Sequence, residues 1–326
     1  KEQMMKKVAL VVLVFQNSTQ LLLMNYSRTL KGPSYISSTV VVCVEVVKLI
    51  CSFALLSHEH GWDWSAAKIE LSSQLADPWD TFKVGVPAFI YMVQNNLLFV
   101  ATSNLDAATT QLTYQLKLMT TALFSVFILG KQLSNQQWLA LVVLTAGVTL
   151  VQLGIRPPGE GEAHSSSVHY GSQLTGFLAV LSACLLSGFA AVYFEKILKG
   201  SKVSVWIRNI QLGAIGSVLA LAGAYVSDGA AIAEYGFFRG YGAIVVLIIM
   251  VYALGGLTVA VVVKYADNIL KGFATSFSVI VCALFSIVFL GMQPSLIFAV
   301  GAALVMASVS LYNSSRDYFG LNGVRP

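Results

Sequence analysis

The chain has 326 residues, 56% of them hydrophobic and only 11% charged, with a mean hydropathy of +0.75. A water-soluble domain carries roughly 25% charged residues, so this composition excludes a soluble globular protein and favours helices that satisfy their own backbone groups within a bilayer. The net charge of +5 is too small for a nucleic-acid footprint, and at about 20 apolar residues per span the length suits roughly ten spans with no separate soluble domain.

In chain order, the apolar runs predict spans near 8–27, 37–57, 82–102, 107–129, 134–153, 173–194, 208–227, 240–263, 269–290 and 294–313. Lys6 and Lys7 precede the first run and no small-residue cleavage site follows it, so it reads as a retained span rather than a cleaved signal. Glu45 and Lys48 lie three apart in the second span and are each other's obvious partners. Residues 58–81 read as a loop. The third span carries Tyr91, Gln94, Asn95 and Asn96, the first three on one helical face.

Lys117 sits midway along the fourth span with no acid three or four residues away, and Tyr114 shares its face. A charge inside a span is expensive unless it meets a cavity or a partner. Pro157, Pro158, glycines and a serine run mark residues 154–172 as a flexible linker that divides the chain nearly in half. Beyond it, Ser187, Gly188 and Asn209 are small or polar positions near span centres, Gly255 and Gly256 suit close helix packing, and Lys271 opens the ninth span.

The second half repeats the first at an offset of 161 residues. Over positions 103–134 there are nine identities in 32, including Ala122-Leu-Phe-Ser125 with Ala283-Leu-Phe-Ser286, and Asp106 with Asp267. Five spans per repeat is an odd number, so the second repeat enters the membrane in the opposite sense, a pattern typical of secondary transporters. The expected fold is therefore an all-α membrane protein of ten helices in two inverted five-helix repeats, 1–155 and 173–326, joined by a lumenal linker at 156–172. With the N-terminus inside, fourteen of the 20 lysines and arginines fall on the inner side, four on the outer side and two within spans. That bias places both termini in the cytosol.

The four cysteines lie in apolar runs and read as small buried hydrophobes. The histidines lie in loops, and neither set has metal-ligand spacing. No P-loop, nucleophile elbow or paired-acid constellation stands out, so no cofactor, metal or enzymatic activity is expected. Lys117 and Lys271 occupy equivalent spans of the two repeats and are expected to reach one central cavity, binding phosphate as point charges.

Several stretches in order resemble the nucleotide-sugar transporter family of the drug/metabolite transporter superfamily. They are Gln94-Asn-Asn, Ser103-Asn-Leu-Asp-Ala-Ala, Thr113-Tyr-Gln-Leu-Lys117, Ser187-Gly-Phe-Ala-Ala-Val-Tyr-Phe-Glu-Lys196, Trp206-Ile-Arg-Asn-Ile-Gln211 and Lys264-Tyr-Ala-Asp-Asn-Ile-Leu-Lys-Gly-Phe273. The resemblance covers nearly the whole chain. It implies a Golgi antiporter that imports a pyrimidine nucleotide sugar in exchange for a nucleoside monophosphate, UMP or CMP, without ATP. It also implies substrate contacts at Tyr91, Asn95, Tyr114, Lys117, Ser187, Asn209 and Lys271.

Within the subfamily of UDP-N-acetylglucosamine, UDP-galactose and CMP-sialic acid transporters, the chain looks closer to the UDP-sugar members. Thr110, Gly213 and Ala260 stand where CMP-sialic acid transporters of animals carry two tyrosines and a serine. A CMP-sialic acid/CMP exchanger is the alternative. A proton-coupled metabolite exporter, for which Glu45 is the sole mid-span acid, and a membrane glycosyl-transfer enzyme are weaker readings. The expected partners are the nucleotide sugar, the monophosphate and the lipid bilayer.

Overall fold

The computed structural model describes residues 2–29, 34–105, 107–156, 170–290 and 293–318. Among the described residues twelve α-helices run in chain order: α1 Glu2–Thr29, α2 Ser37–Glu59, α3 Trp64–Leu75, α4 Pro78–Asn104, α5 Ala107–Tyr114, α6 Lys117–Leu129, α7 Asn135–Leu153, α8 Tyr170–Gly200, α9 Val205–Tyr235, α10 Ala243–Tyr265, α11 Asn268–Leu290 and α12 Leu296–Tyr318. A two-residue antiparallel bridge pairs β1 (Ile155–Arg156) with β2 (Gln293–Pro294).

Among the described residues, nine helical stretches are long and apolar enough to cross a membrane, with α5 and α6 counted together as Thr109–Leu129. The apolar part of α12, Leu296–Tyr312, is 17 residues, at the lower limit of the length a span needs. These stretches coincide with the ten expected spans. Asp106 and most of the linker (157–169) lie outside the described residues.

Two differences from the expected elements are visible in the hydrogen bonding. The segment 58–81 is not all loop, because Asp63 accepts hydrogen bonds from the backbone of Ser65 and Ala66 and so starts α3. The fourth span is broken into α5 and α6. Around the break the backbone tightens, with Gln115 N–H donating to Leu112, Leu116 N–H to Thr113 and Leu118 N–H to Gln115, the three-residue spacing of a 3₁₀ turn. α6 ends at Gly130, whose φ of +66° costs a glycine little, and α7 starts with a reciprocal capping box between Ser134 and Gln137.

The chain divides into two compact units that do not follow the sequence halves. One comprises Lys1–Met92 and Phe194–Asp267, the other Val93–Tyr193 and Asn268–Pro326.

In the first unit, α2 packs along α9 and α1 along α10. The Glu45–Lys48 pair forms as expected, at 2.8 Å. Glycines make room for it: a Cβ on Gly216 would lie 3.0 Å from Glu45 Oε2, and one on Gly256 would lie 3.0 Å from Lys48 Cε. Arg208, 2% exposed, donates to Asp80 Oδ2 and to Gln211 Oε1 (2.9 Å), while Gln211 reaches Thr81 at 3.2 Å. A buried guanidinium is thereby given its counter-ion. Within α9, Asp228 leaves helical geometry and accepts from Ser38 Oγ at 2.5 Å.

In the second unit, α7 packs along α12, with α6 and α11 completing a core that includes Leu118, Leu141, Leu144, Phe273, Val305 and Tyr312. A Cβ on Gly147 would lie 2.9 Å from Val305, and one on Gly154 would lie 2.2 Å from the Phe298 backbone. The higher number on one helix thus pairs with the lower on the other, and the two helices run antiparallel. At the 161-residue offset α7 and α12 are counterparts, as are α2 and α9 in the other unit.

Candidate functional site

The break between α5 and α6 gathers the polar groups of the second unit. Tyr114 ends α5 and Lys117 begins α6. The Lys117 ammonium lies 4.2 Å from the centroid of the Tyr114 ring, within range of a cation–π contact. Among the described residues no carboxylate pairs with it. The first turn of α6 has no side-chain cap, since Leu116 occupies that place. The positive end of the helix and the lysine charge therefore coincide.

The Tyr114 hydroxyl is held from two sides. It accepts from Gln94 Nε2 at 2.8 Å and donates to Ser187 Oγ at 3.4 Å. Gln94 is buried, and among the described residues its Oε1 has no hydrogen-bond partner.

Breaking a helix releases carbonyls that lipid cannot satisfy, so a neighbouring helix must. Here α8 does so. Because Leu118 N–H turns to Gln115, it is not spent on Tyr114 four residues back. Cys184 Sγ lies 3.6 Å from the Tyr114 carbonyl oxygen and 3.7 Å from that of Thr113. Thr120 Oγ1 donates in turn to the Cys184 carbonyl at 2.7 Å. Gly188 permits this contact: a Cβ there would lie 2.6 Å from Thr120 Oγ1 and 2.8 Å from backbone atoms of Thr120 and Thr121. Gly255 likewise opens space, for the Gln16 amide.

The structure thus brings Tyr114, Lys117 and Ser187 together and adds Gln94. Lys271 is half-buried on the first turn of α11. Its neighbour Gly272 packs on Leu118, the residue after Lys117, with a would-be Cβ 2.7 Å from Leu118 Cδ2. Asn268 fixes the same end of α11 by donating to the Ala191 carbonyl of α8 at 2.7 Å. The starts of α6 and α11, each carrying a lysine, are therefore packed side by side. Asn95 is exposed on α4. Tyr91 and Asn209 belong to the other unit, where Tyr91 is half-buried and Asn209 is 2% exposed.

Sequence reasoning did not assign Cys184 a polar role, and it passed over Gln94 as a site residue although it noted the cluster around it. Among the described residues there is no cluster of three or more histidine, cysteine or acidic side chains able to hold a metal.

These features define a multi-pass membrane protein with a discontinuous helix whose positive end carries an ammonium group, an arrangement suited to an anionic solute. A profile of the nucleotide-sugar transporters matches residues 1–313, and the chain belongs to that family. It is 50% identical over 312 residues to the UDP-N-acetylglucosamine transporter of Mus musculus, covering 94% of this chain and 95% of that one. It is 48% identical over 318 residues to a UDP-N-acetylglucosamine/UDP-N-acetylgalactosamine transporter of Caenorhabditis elegans (94% and 93%). It is 47% identical over 313 residues to the UDP-galactose translocator of Homo sapiens (96% and 78%). The family is one of transporters rather than enzymes. A crystal structure only 14% identical superposes with a TM-score of 0.68 over 94% of this chain and 96% of the other, a likeness of fold.

Proposed function

We propose that the chain is an antiporter of the Golgi membrane that exchanges a cytosolic UDP-sugar, with UDP-N-acetylglucosamine first and UDP-galactose second, for UMP. Both termini face the cytosol. The observation that carries this reading is the Lys117 ammonium at the uncapped start of α6, with no carboxylate partner among the described residues. A phosphate brought there meets a positive side chain at the positive end of a helix. Lys271, on the adjacent helix start, is the second phosphate contact. Tyr114, held by Gln94 and Ser187, offers a ring face to the nucleotide base. Asn95 is the further contact in this unit, and Tyr91 and Asn209 rest on the family resemblance alone. The choice of UDP-sugars follows the names of the relatives and the residues at Thr110, Gly213 and Ala260.

Exchange, rather than one-way transport, follows from the same lysine. Without an anion its charge lies unneutralised in a low-dielectric surrounding, so conformational crossing is favoured with nucleotide bound. The two five-helix repeats, 1–155 and 173–326, are the units of sequence related by inversion. In keeping with this, α7 and α12 are counterparts at the 161-residue offset and run antiparallel.

Counterflow in proteoliposomes tests the proposal. Vesicles loaded with UMP should take up labelled UDP-N-acetylglucosamine, and empty vesicles should not. Uptake of CMP-sialic acid driven by internal CMP, without uptake of either UDP-sugar, would refute the substrate assignment. Uptake into empty vesicles at the same rate would refute exchange.

A further inference from the structure

The turn joining α2 to α3 contains two successive residues in the left-handed region, Gly61 at φ +66° and Trp62 at φ +69°. Glycine tolerates this geometry; a tryptophan there is strained, and the surroundings must hold it. The turn sets the Trp62 indole beside that of Trp64 at a centroid distance of 6.5 Å, with the two residues 57% and 52% exposed. Trp64 leans in turn on Phe53 of α2, at 5.6 Å. Beside this aromatic edge, α2, α3 and α9 enclose an open groove of about 400 Å³. Its walls are Leu49, Phe53, Ala54, Trp64, Leu71 and Ile210, almost without polar surface.

The groove is continuous with Ile50, which is 64% exposed on the α2 span and belongs to the hydrocarbon-facing surface of a multi-pass protein. Water has no partners on such a wall, and a void would forfeit the dispersion contacts of its lining. In a bilayer, the flexible apolar chain at hand is an acyl chain. Tryptophans favour the headgroup level. Lys68 is exposed, four residues after Trp64 and three before Leu71, hence on their side of α3. Among the described residues it pairs with no carboxylate.

We propose that this groove is a phospholipid site, with one acyl chain between α2, α3 and α9, the phosphate on Lys68, and Trp62 and Trp64 flanking the headgroup. Leaving bulk lipid gives an acyl chain no hydrophobic gain, so residence rests on shape and on the phosphate contact. The inference is independent of which nucleotide is carried.

The test is photolabelling of the full chain in nanodiscs containing a phosphatidylserine with a mid-chain diazirine, followed by adduct mapping. If lipids merely graze the surface, labelling follows exposure, and Val218, 68% exposed on the α9 span, outscores the half-buried Leu49 and Phe53. A resident chain reverses that order. Ala54→Phe and, separately, Leu71→Trp fill the groove from α2 and from α3. In whichever of them elutes as folded protein, labelling of Leu49 and Phe53 should fall to the level at Val218. Labelling that tracks exposure in the wild type, or that persists in a folded groove-filled variant, overturns the proposal.

Discussion

Replacing Lys117 by alanine separates a binding lysine from a structural one. With no carboxylate partner among the described residues, the Lys117 ammonium rests against the Tyr114 ring. That contact is worth about 0.5–2 kcal/mol, and it opposes the cost of keeping a charge half-buried. Removing the side chain should therefore leave the unliganded protein about as stable as before. A phosphate loses a charge-assisted hydrogen bond worth about 1.5–3 kcal/mol, so UMP or UDP-N-acetylglucosamine should bind about 10- to 150-fold more weakly. Ligand at about 100 times the wild-type Kd stabilises by about 2.7 kcal/mol; in the variant the same concentration should give only about 0.3–1.4 kcal/mol. Thermal unfolding of the detergent-solubilised protein, with and without ligand, reads both quantities. Equal ligand stabilisation in the two proteins would refute the phosphate role. A large loss of stability without ligand would show that Lys117 has a structural partner.

Three further outcomes are expected. Cys184→Val removes the thiol beside the Thr113 and Tyr114 carbonyls and should raise KM for counterflow about five- to tenfold, one neutral hydrogen bond's worth, whereas Cys184→Ser should recover most of it; equal values for the two would exclude the thiol as the support of the break. Glu45→Gln strands the Lys48 ammonium and should cost about 3–5 kcal/mol in thermal unfolding, while Glu45→Leu with Lys48→Met should cost far less, because removing both charges leaves neither unpaired. Arg208→Leu leaves Asp80 without its guanidinium and should lower stability comparably; restoration by the added change Asp80→Asn is the check that the loss is electrostatic.

The spans were legible because apolar runs of this length have few other uses, and the Glu45–Lys48 pair because spacing alone brings the two together. Helix α3 was harder to see: its Ser-rich, weakly apolar sequence carries little periodic signal, although Asp63 stood where an N-cap belongs. The break before Lys117 left no local mark. Neither proline nor glycine lies at Gln115-Leu116, and the deviation is supported from α8, far away in sequence, by Cys184 and by the approach that Gly188 allows. Tertiary contacts of that kind override helix propensity without altering it. The composition of the compact units was illegible for a related reason, since each collects helices from both halves of the chain, a matter of packing rather than of order.

Lys117 shows how spacing can single out a residue without revealing the local structure around it. The sequence marked Lys117 as costly because it lay mid-span with no acid nearby. A continuous helix would have kept that charge in mid-helix, away from either end of the helix dipole. The break sharpens that cost: Lys117 becomes the first residue of α6, where its charge coincides with the positive end of the helix, over a tyrosine ring that is itself fixed by Gln94 and Ser187. Lys271 occupies the first turn of α11, which packs against the same end of α6 through Gly272 and Leu118. The start of α6 and the Lys117 ammonium concentrate positive potential at one helix end. That potential is unfavourable to leave unneutralised in a low-dielectric surrounding, which is the physical reason a bound phosphate should be part of the stable, crossing-competent protein and not merely its cargo.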